Sequence, residues 1–282
     1  MNSFSFNRFC KTFRWFFGVN LRSMMIWSSG YVVGVFLGEM LFFAFNPNSS
    51  VEHKLQSVEQ FCTIFIIIAL TIGACTFLSD FNKKSKREAF LMLPASNLEK
   101  YLTAILYIAS FFTTCVLVSF ALGDSLRMVI RSLVYGDEWR STLPMMVNWI
   151  PQSYFSPEHL ANGLFWFDVM KLVDLSAFFL WIHSIYTLGG TLLRKYSYVV
   201  TSVFVIFCMM LFGKVMTAFN MTMFHTQWDL GVLQNYEIGT MSYILAVALP
   251  VFAFFNYWAS FQIFKGYQLI TNKWTNYDIL KR

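Results

Sequence analysis

Six long apolar runs alternate with short polar or charged stretches along this chain. A helix that crosses a bilayer needs about 20 predominantly apolar residues. The runs therefore predict spans over 24–45, 61–78, 100–122, 165–193, 198–219 and 239–264. Ahead of the first span, Phe6, Phe9, Phe13, Phe16 and Phe17 recur at helical spacing on one face. Arg8, Lys11, Arg14 and Arg22 fall largely on the other, and Trp15 breaks the pattern. That arrangement predicts an amphipathic helix over 1–22 lying in the membrane interface. It is not a cleavable leader: its basic part is long, the apolar run behind it is of spanning length, and no small-x-small site follows. The expected fold is an all-α integral membrane protein, a single transmembrane domain over 1–282 with six spans and an N-terminal interfacial helix.

Within this frame several local patterns carry information. In span one Gly30, Gly34 and Gly38 recur every four residues, a smooth stripe that favours close packing of another helix over the alternative, a ligand groove. Glu39 stands beside the stripe, and a carboxylate there is expected to face protein, water or a cation. A loop over 46–59 carries Pro47. In the central loop, 79–98, Asp80 is a candidate cap for a short helix with Phe81, Ala89, Phe90 and Met92 on its apolar side. Pro94 stops that helix. Ser96 and Glu99 form a capping-box pair that starts the next one. The segment 123–163 holds Pro144, Pro151, Pro157, Trp139 and Trp149. The helical apolar spacing of Leu126, Val129, Ile130, Leu133 and Val134 predicts short helices resting on the outer surface. In span four Asp168, Lys171 and Asp174 are three residues apart and can form a ladder on one face, with His183 deeper. Gly189 and Gly190 close that span before the turn at Arg194 and Lys195. A loop over 220–238 carries His225, Trp228, Asp229 and Glu237, and Pro250 is expected to kink span six.

Composition sharpens the class. The chain is 57% hydrophobic and 13% charged, and a soluble globular chain carries about 25% charged residues. The net charge is +6, and its placement matters more than its sum. Arg8, Lys11, Arg14, Arg22, the central Lys83, Lys84, Lys86, Arg87 and Lys100, then Arg194, Lys195, Lys265, Lys273, Lys281 and Arg282 fall on one side of the six-span arrangement. Lys54, Arg127, Arg131 and Arg140 fall on the other. Positive charge is retained in the cytoplasm, so both termini and the central loop are expected there. Basic residues that flank apolar spans do not make a nucleic-acid face. Of the five cysteines, Cys62, Cys75, Cys115 and Cys208 fall in spans and Cys10 in the N-terminal segment, so no disulfide framework is indicated.

No phosphate-binding glycine loop, no H-E-x-x-H, no G-x-S-x-G and no clustered His/Cys/carboxylate set occurs in the sequence. The expectation is a chain without catalytic residues, metal ligands or a bound cofactor. Glu39, Asp174 and His183 are the candidate polar groups of a pathway through the membrane. A plain charged turn does not need apolar residues beside it, whereas a docking surface does. The F-L-M-L run next to the basic cluster therefore points to a contact with another protein.

The stretch R-E-A-F-L-M-L-P-A-S-N-L-E-K-Y, Arg87 to Tyr101, resembles the loop after the second span in bacterial permease subunits of type-2 ATP-binding-cassette (ABC) transporters. It is similar to the L-P-A-S-x-x-E-K-[FY] form of many Bacteroidetes and Firmicutes members. W-A-S-F-Q-I-F-K-G-Y-Q-L, Trp258 to Leu269, is similar to the end of their last span. The resemblance implies a multi-pass protein of the bacterial plasma (inner) membrane that pairs with a second permease copy or homologue. It also implies two copies of a separate cytoplasmic ATPase, which hold the ATP and magnesium. The central loop would be the coupling helix, with Phe81, Lys83, Lys84, Lys86, Arg87, Phe90, Leu91 and Leu93 at the ATPase contact. An amphipathic, peptide-like or lipid-like exported substrate fits Phe-rich spans. The chain departs from the pattern in carrying its larger outer segment after span three. The alternative is a membrane scaffold or sensor that transports nothing and recruits another cytoplasmic protein.

Overall fold

In a computed structural model, the structure describes residues 4–45, 50–76, 84–136, 139–147, 164–193, 195–219, 223–229 and 232–266. The chain divides into two compact units, Met1–Gly73 with Met92–Ile150, and Ala74–Leu91 with Pro151–Arg282.

The first unit is built on α1 (Phe6–Phe45), α2 (Val51–Thr76, whose last turn belongs to the second unit), α4 (Asn97–Leu106) and α5 (Thr113–Tyr135). Helix α1 is continuous across the point where the sequence predicts an interfacial helix ending and a span beginning. No proline interrupts it, and Asn20 Nδ2 donates to the Phe16 carbonyl one turn back at 3.0 Å, so its polar side chain reinforces the helix instead of capping it. At 1.5 Å per residue, forty residues extend about 60 Å, twice the hydrocarbon thickness of a bilayer. Helix α2 starts ten residues ahead of the predicted span. Ser50 Oγ accepts from the His53 amide at 3.3 Å, which caps the new start.

Helices α4 and α5 are joined by a π-helical turn, Tyr107–Phe112, and the helix continues to Tyr135. It stops at Gly136, whose φ of 68° is the left-handed conformation that glycine adopts without strain. Residues 123–135, predicted as separate short helices, are thus continuous with the helix that carries span three. The amphipathic spacing was correct, but only Gly136 carries a real stop. Helix α1 packs along α4, the π turn and α5: Phe16 meets Tyr107 at 5.0 Å and Phe17 meets Phe111 at 4.5 Å, both edge-on. The core gathers Val35, Phe43, Leu55, Val58, Cys62 and Phe120.

The second unit contains the short α3 (Lys84–Leu91), then α6 (Phe165–Leu192), α7 (Ser197–Ala218) and α8 (Thr240–Lys265). The α6–α7 turn places Tyr196 at φ 54°. Helix α8 runs through Pro250 without ending. Between α7 and α8 the predicted loop is in fact an antiparallel hairpin, β1 (Phe224–Asp229) with β2 (Val232–Ile238), pairing Phe224 with Ile238 and Asp229 with Val232.

Among the described residues five helices are long and apolar enough to cross a membrane: Phe6–Phe45, Val51–Cys75, Asn97–Tyr135, Ser197–Ala218 and Thr240–Lys265. Val203, Phe204, Phe207 and Met210 of α7 are exposed in the isolated chain, as befits a helix surrounded by lipid. The protein is a multi-pass α-helical membrane protein.

Candidate functional site

The central loop is built from α3 and the turn after it. Lys84, Lys86 and Arg87 lie in the first four positions of α3, whereas Phe81 and Lys83, with the proposed cap Asp80, lie outside the described residues. Phe90 does not face outward. It is 2% exposed and packs edge-on against Phe264 near the end of α8, ring centroids 6.0 Å apart. The exposed apolar residue is Met92, at 85%, while Leu91 and Leu93 are half-buried. Phe90 is therefore a seat for the helix, and the apolar part of any outward contact falls to Met92.

The capping box forms as the sequence predicts. Ser96 Oγ accepts from the Glu99 amide at 3.2 Å, and Glu99 Oε2 accepts from the Ser96 amide at 2.8 Å. Glu99 also does something the local pattern does not reveal. Its Oε1 accepts from the Ser5 amide at 2.7 Å and from Arg8 Nη2 at 3.0 Å, so one buried carboxylate both starts α4 and anchors the beginning of α1.

Three charged groups meet inside the first unit. Arg127 Nε donates to Glu39 Oε2 at 2.7 Å, and Arg127 Nη2 donates to Asp124 Oδ1 at 2.5 Å and to the Arg140 carbonyl at 2.9 Å. Their side chains are at most 4% exposed. Asp124 also accepts from Ser141 Oγ at 2.5 Å, the Thr142 amide at 3.2 Å and Thr142 Oγ1 at 3.0 Å. Cys62 directs its Sγ to Glu39 Oε1 at 3.3 Å. Glu39 faces protein, one of the three surroundings (protein, water or a cation) expected of it. Its partners escaped the sequence reading because Asp124 and Arg127 were assigned to a surface segment. Their i,i+3 spacing was the available signal. Gly123 makes this junction close: a Cβ there would lie 2.9 Å from the Val35 Cβ and 3.0 Å from the Val32 carbonyl.

A neighbouring helix covers the glycine stripe at two of its three positions. Gly34 and Gly38 are covered by the rings of Phe65 and Phe61 from α2, whereas Gly30 has nothing within 4 Å of a would-be Cβ. Close backbone approach occurs instead at Gly123 and, in the second unit, at Gly190 against the Cys75 carbonyl.

In the second unit α6 and α8 share a polar seam. Asp174 accepts from Ser242, His183 Nδ1 and Tyr257 Oη are 2.6 Å apart, and Asn256 Nδ2 donates to Ser184 Oγ at 3.0 Å. Lys171 approaches Asp168 at 3.9 Å, so only half of the proposed charge ladder forms, and Asp174 turns to α8. Asp174 and His183 each bond across to α8 and not to one another. Among the described residues no group of three His, Cys, Asp or Glu side chains is arranged to hold a metal ion.

No protein-family model matches the chain, and neither does any curated protein or solved structure.

Proposed function

We propose that the chain is the permease subunit of an ATP-driven ABC transporter of the bacterial plasma membrane. The observation that carries this reading is α3, a short basic helix between two candidate spans, with Phe90 buried beneath it and Met92 exposed beside it. A connecting turn needs no such inward anchor, whereas a helix that transmits force from a docked protein does. In this reading α6 (Phe165–Leu192) is the sixth span, both termini are cytoplasmic, and two permease copies pair with two ATPase subunits. ATP-driven closure of the ATPases draws the coupling helices together, and an amphipathic, peptide-like or lipid-like compound is exported. The ATPase contact comprises Lys84, Lys86, Arg87 and Met92, with Leu91 and Leu93 at its edge, and Phe90 acts from behind.

The test is purification of the tagged full chain in mild detergent with the ATPase encoded nearest to it. Association that is lost on combined charge reversal at Lys84, Lys86 and Arg87, together with ATP-dependent transport, supports the reading. A chain that retains neither an ATPase nor ATP-dependent transport overturns it. The alternative of a scaffold or sensor is favoured by one observation: Glu39, the most deeply buried of the candidate pathway groups, is consumed by Arg127 and Cys62. Capture of a cytoplasmic protein that does not turn over ATP would support that alternative.

A further inference from the structure

The Glu39, Asp124 and Arg127 cluster sums to one negative charge if both carboxylates are ionised, and all three side chains are excluded from water. An uncompensated buried charge costs several kcal/mol, so the assembled cluster calls for one more positive charge. The hydrogen bonds indicate where it resides. Asp124 accepts from Arg127, Ser141 and Thr142 on both oxygens, the behaviour of an ionised carboxylate. Among the described residues, Glu39 has Arg127 on Oε2 and only the Cys62 thiol at Oε1.

The groups facing Glu39 are Cys62 from α2 and Asp124 and Arg127 from α5. Arg131 of α5 stacks on the Phe43 ring at 4.2 Å and on Tyr135 at 4.9 Å, and Arg140 reaches toward Glu52 at 3.9 Å. The same guanidinium that serves Glu39 also holds the chain after α5, through the Arg140 carbonyl, while Asp124 holds Ser141 and Thr142.

We propose that this cluster is a proton-operated latch: with a proton on Glu39 it clasps residues 139–147 to α5, and loss of that proton releases them. The cause is competition for one guanidinium. An ionised Glu39 draws Arg127 into a two-pronged contact, which removes Nη2 from Asp124 and from the Arg140 carbonyl. Asp124, left without its guanidinium, then admits water by opening the segment that Ser141 and Thr142 tie to it. The latch closes in acid and opens in base. It does not depend on the transport reading, since its parts all lie within one unit of the fold.

The experiment is spin-label mobility in the full chain in nanodiscs, with a nitroxide on L143C and with Cys10, Cys115 and Cys208 replaced by serine. The expected result is an immobile label in mildly acidic buffer and a mobile component that grows to dominate in alkaline buffer. E39Q is expected to stay immobile at both, because glutamine is neutral and keeps the Arg127 contact, and D124N is expected to be mobile at both. A spectrum independent of pH in the parent chain overturns the proposal, as does an E39Q label mobile in acid or a D124N label immobile throughout.

Discussion

Phe90 lays its ring edge-on against Phe264, 174 positions further along the chain, and both side chains are almost completely buried. The contact joins a helix of eight residues to the end of a helix of twenty-six, so the short helix need not be stable by itself. Isolated helices shorter than about 12 residues are marginal in water, and tertiary packing is what holds them.

Phe90→Ala and Phe264→Ala are accordingly each expected to cost about 3 kcal/mol through the lost contact and the cavity left behind. Because the two rings share one contact, the double variant should lose less than the sum. Thermal unfolding of the detergent-solubilised chain measures the stability, and tryptic cleavage at Lys84 and Lys86 should accelerate in both single variants. Unchanged cleavage would mean that α3 is held by other groups.

Ser96→Ala removes one half of the capping box and should cost about 1 kcal/mol. Glu99→Ala should cost more, because it also strands the Ser5 amide and the Arg8 guanidinium. Hydrogen exchange separates the two variants: Ser96→Ala should raise exchange in the first turn of α4 alone, and Glu99→Ala in residues 5–9 as well.

Arg127→Met leaves two buried carboxylates without their cation, and such an isolated change costs about 3–5 kcal/mol. Replacing all three groups together, E39Q with D124N and R127M, should recover most of that loss, since no buried charge remains. Thermal unfolding of the single and triple variants decides the matter. A triple variant no more stable than R127M would show that the hydrogen bonds to Ser141 and Thr142 outweigh the charges.

Gly123→Leu should prevent α1 and α5 from packing, because its side chain would meet the Val35 side chain and the Val32 backbone. Gly30→Leu should leave folding unchanged, because nothing lies within 4 Å of that position. Size-exclusion chromatography of both variants gives a second reading: if Gly30 lies in a contact between copies of the chain, G30L weakens association while the fold persists.

Much of the architecture was legible along the chain. Apolar runs of spanning length mark helices because a bilayer offers no partners for an open backbone. The Ser96–Glu99 box was readable because a cap acts over three residues. The predicted break near residue 22 failed because a change from basic to apolar composition alters where a helix lies without interrupting its hydrogen bonds. The helix of span three continues past residue 122 for a similar reason: no residue between 123 and 135 stops a helix, and Gly136 does. The pairing of β1 with β2 is not legible in the same way, because strands this short do not produce an apolar run of spanning length.

The sequence by itself determined that this is a membrane protein of long apolar helices with a basic, sharply punctuated central loop. Those properties follow from composition and from interactions between near neighbours. Only the tertiary structure decided that Glu39 meets Arg127, that Glu99 anchors Arg8, and that Phe90 turns inward to Phe264. Each of these pairs joins residues far apart in the chain. A buried charge or ring must find whatever partner the packing of separate helices brings within reach, and no local pattern encodes that choice.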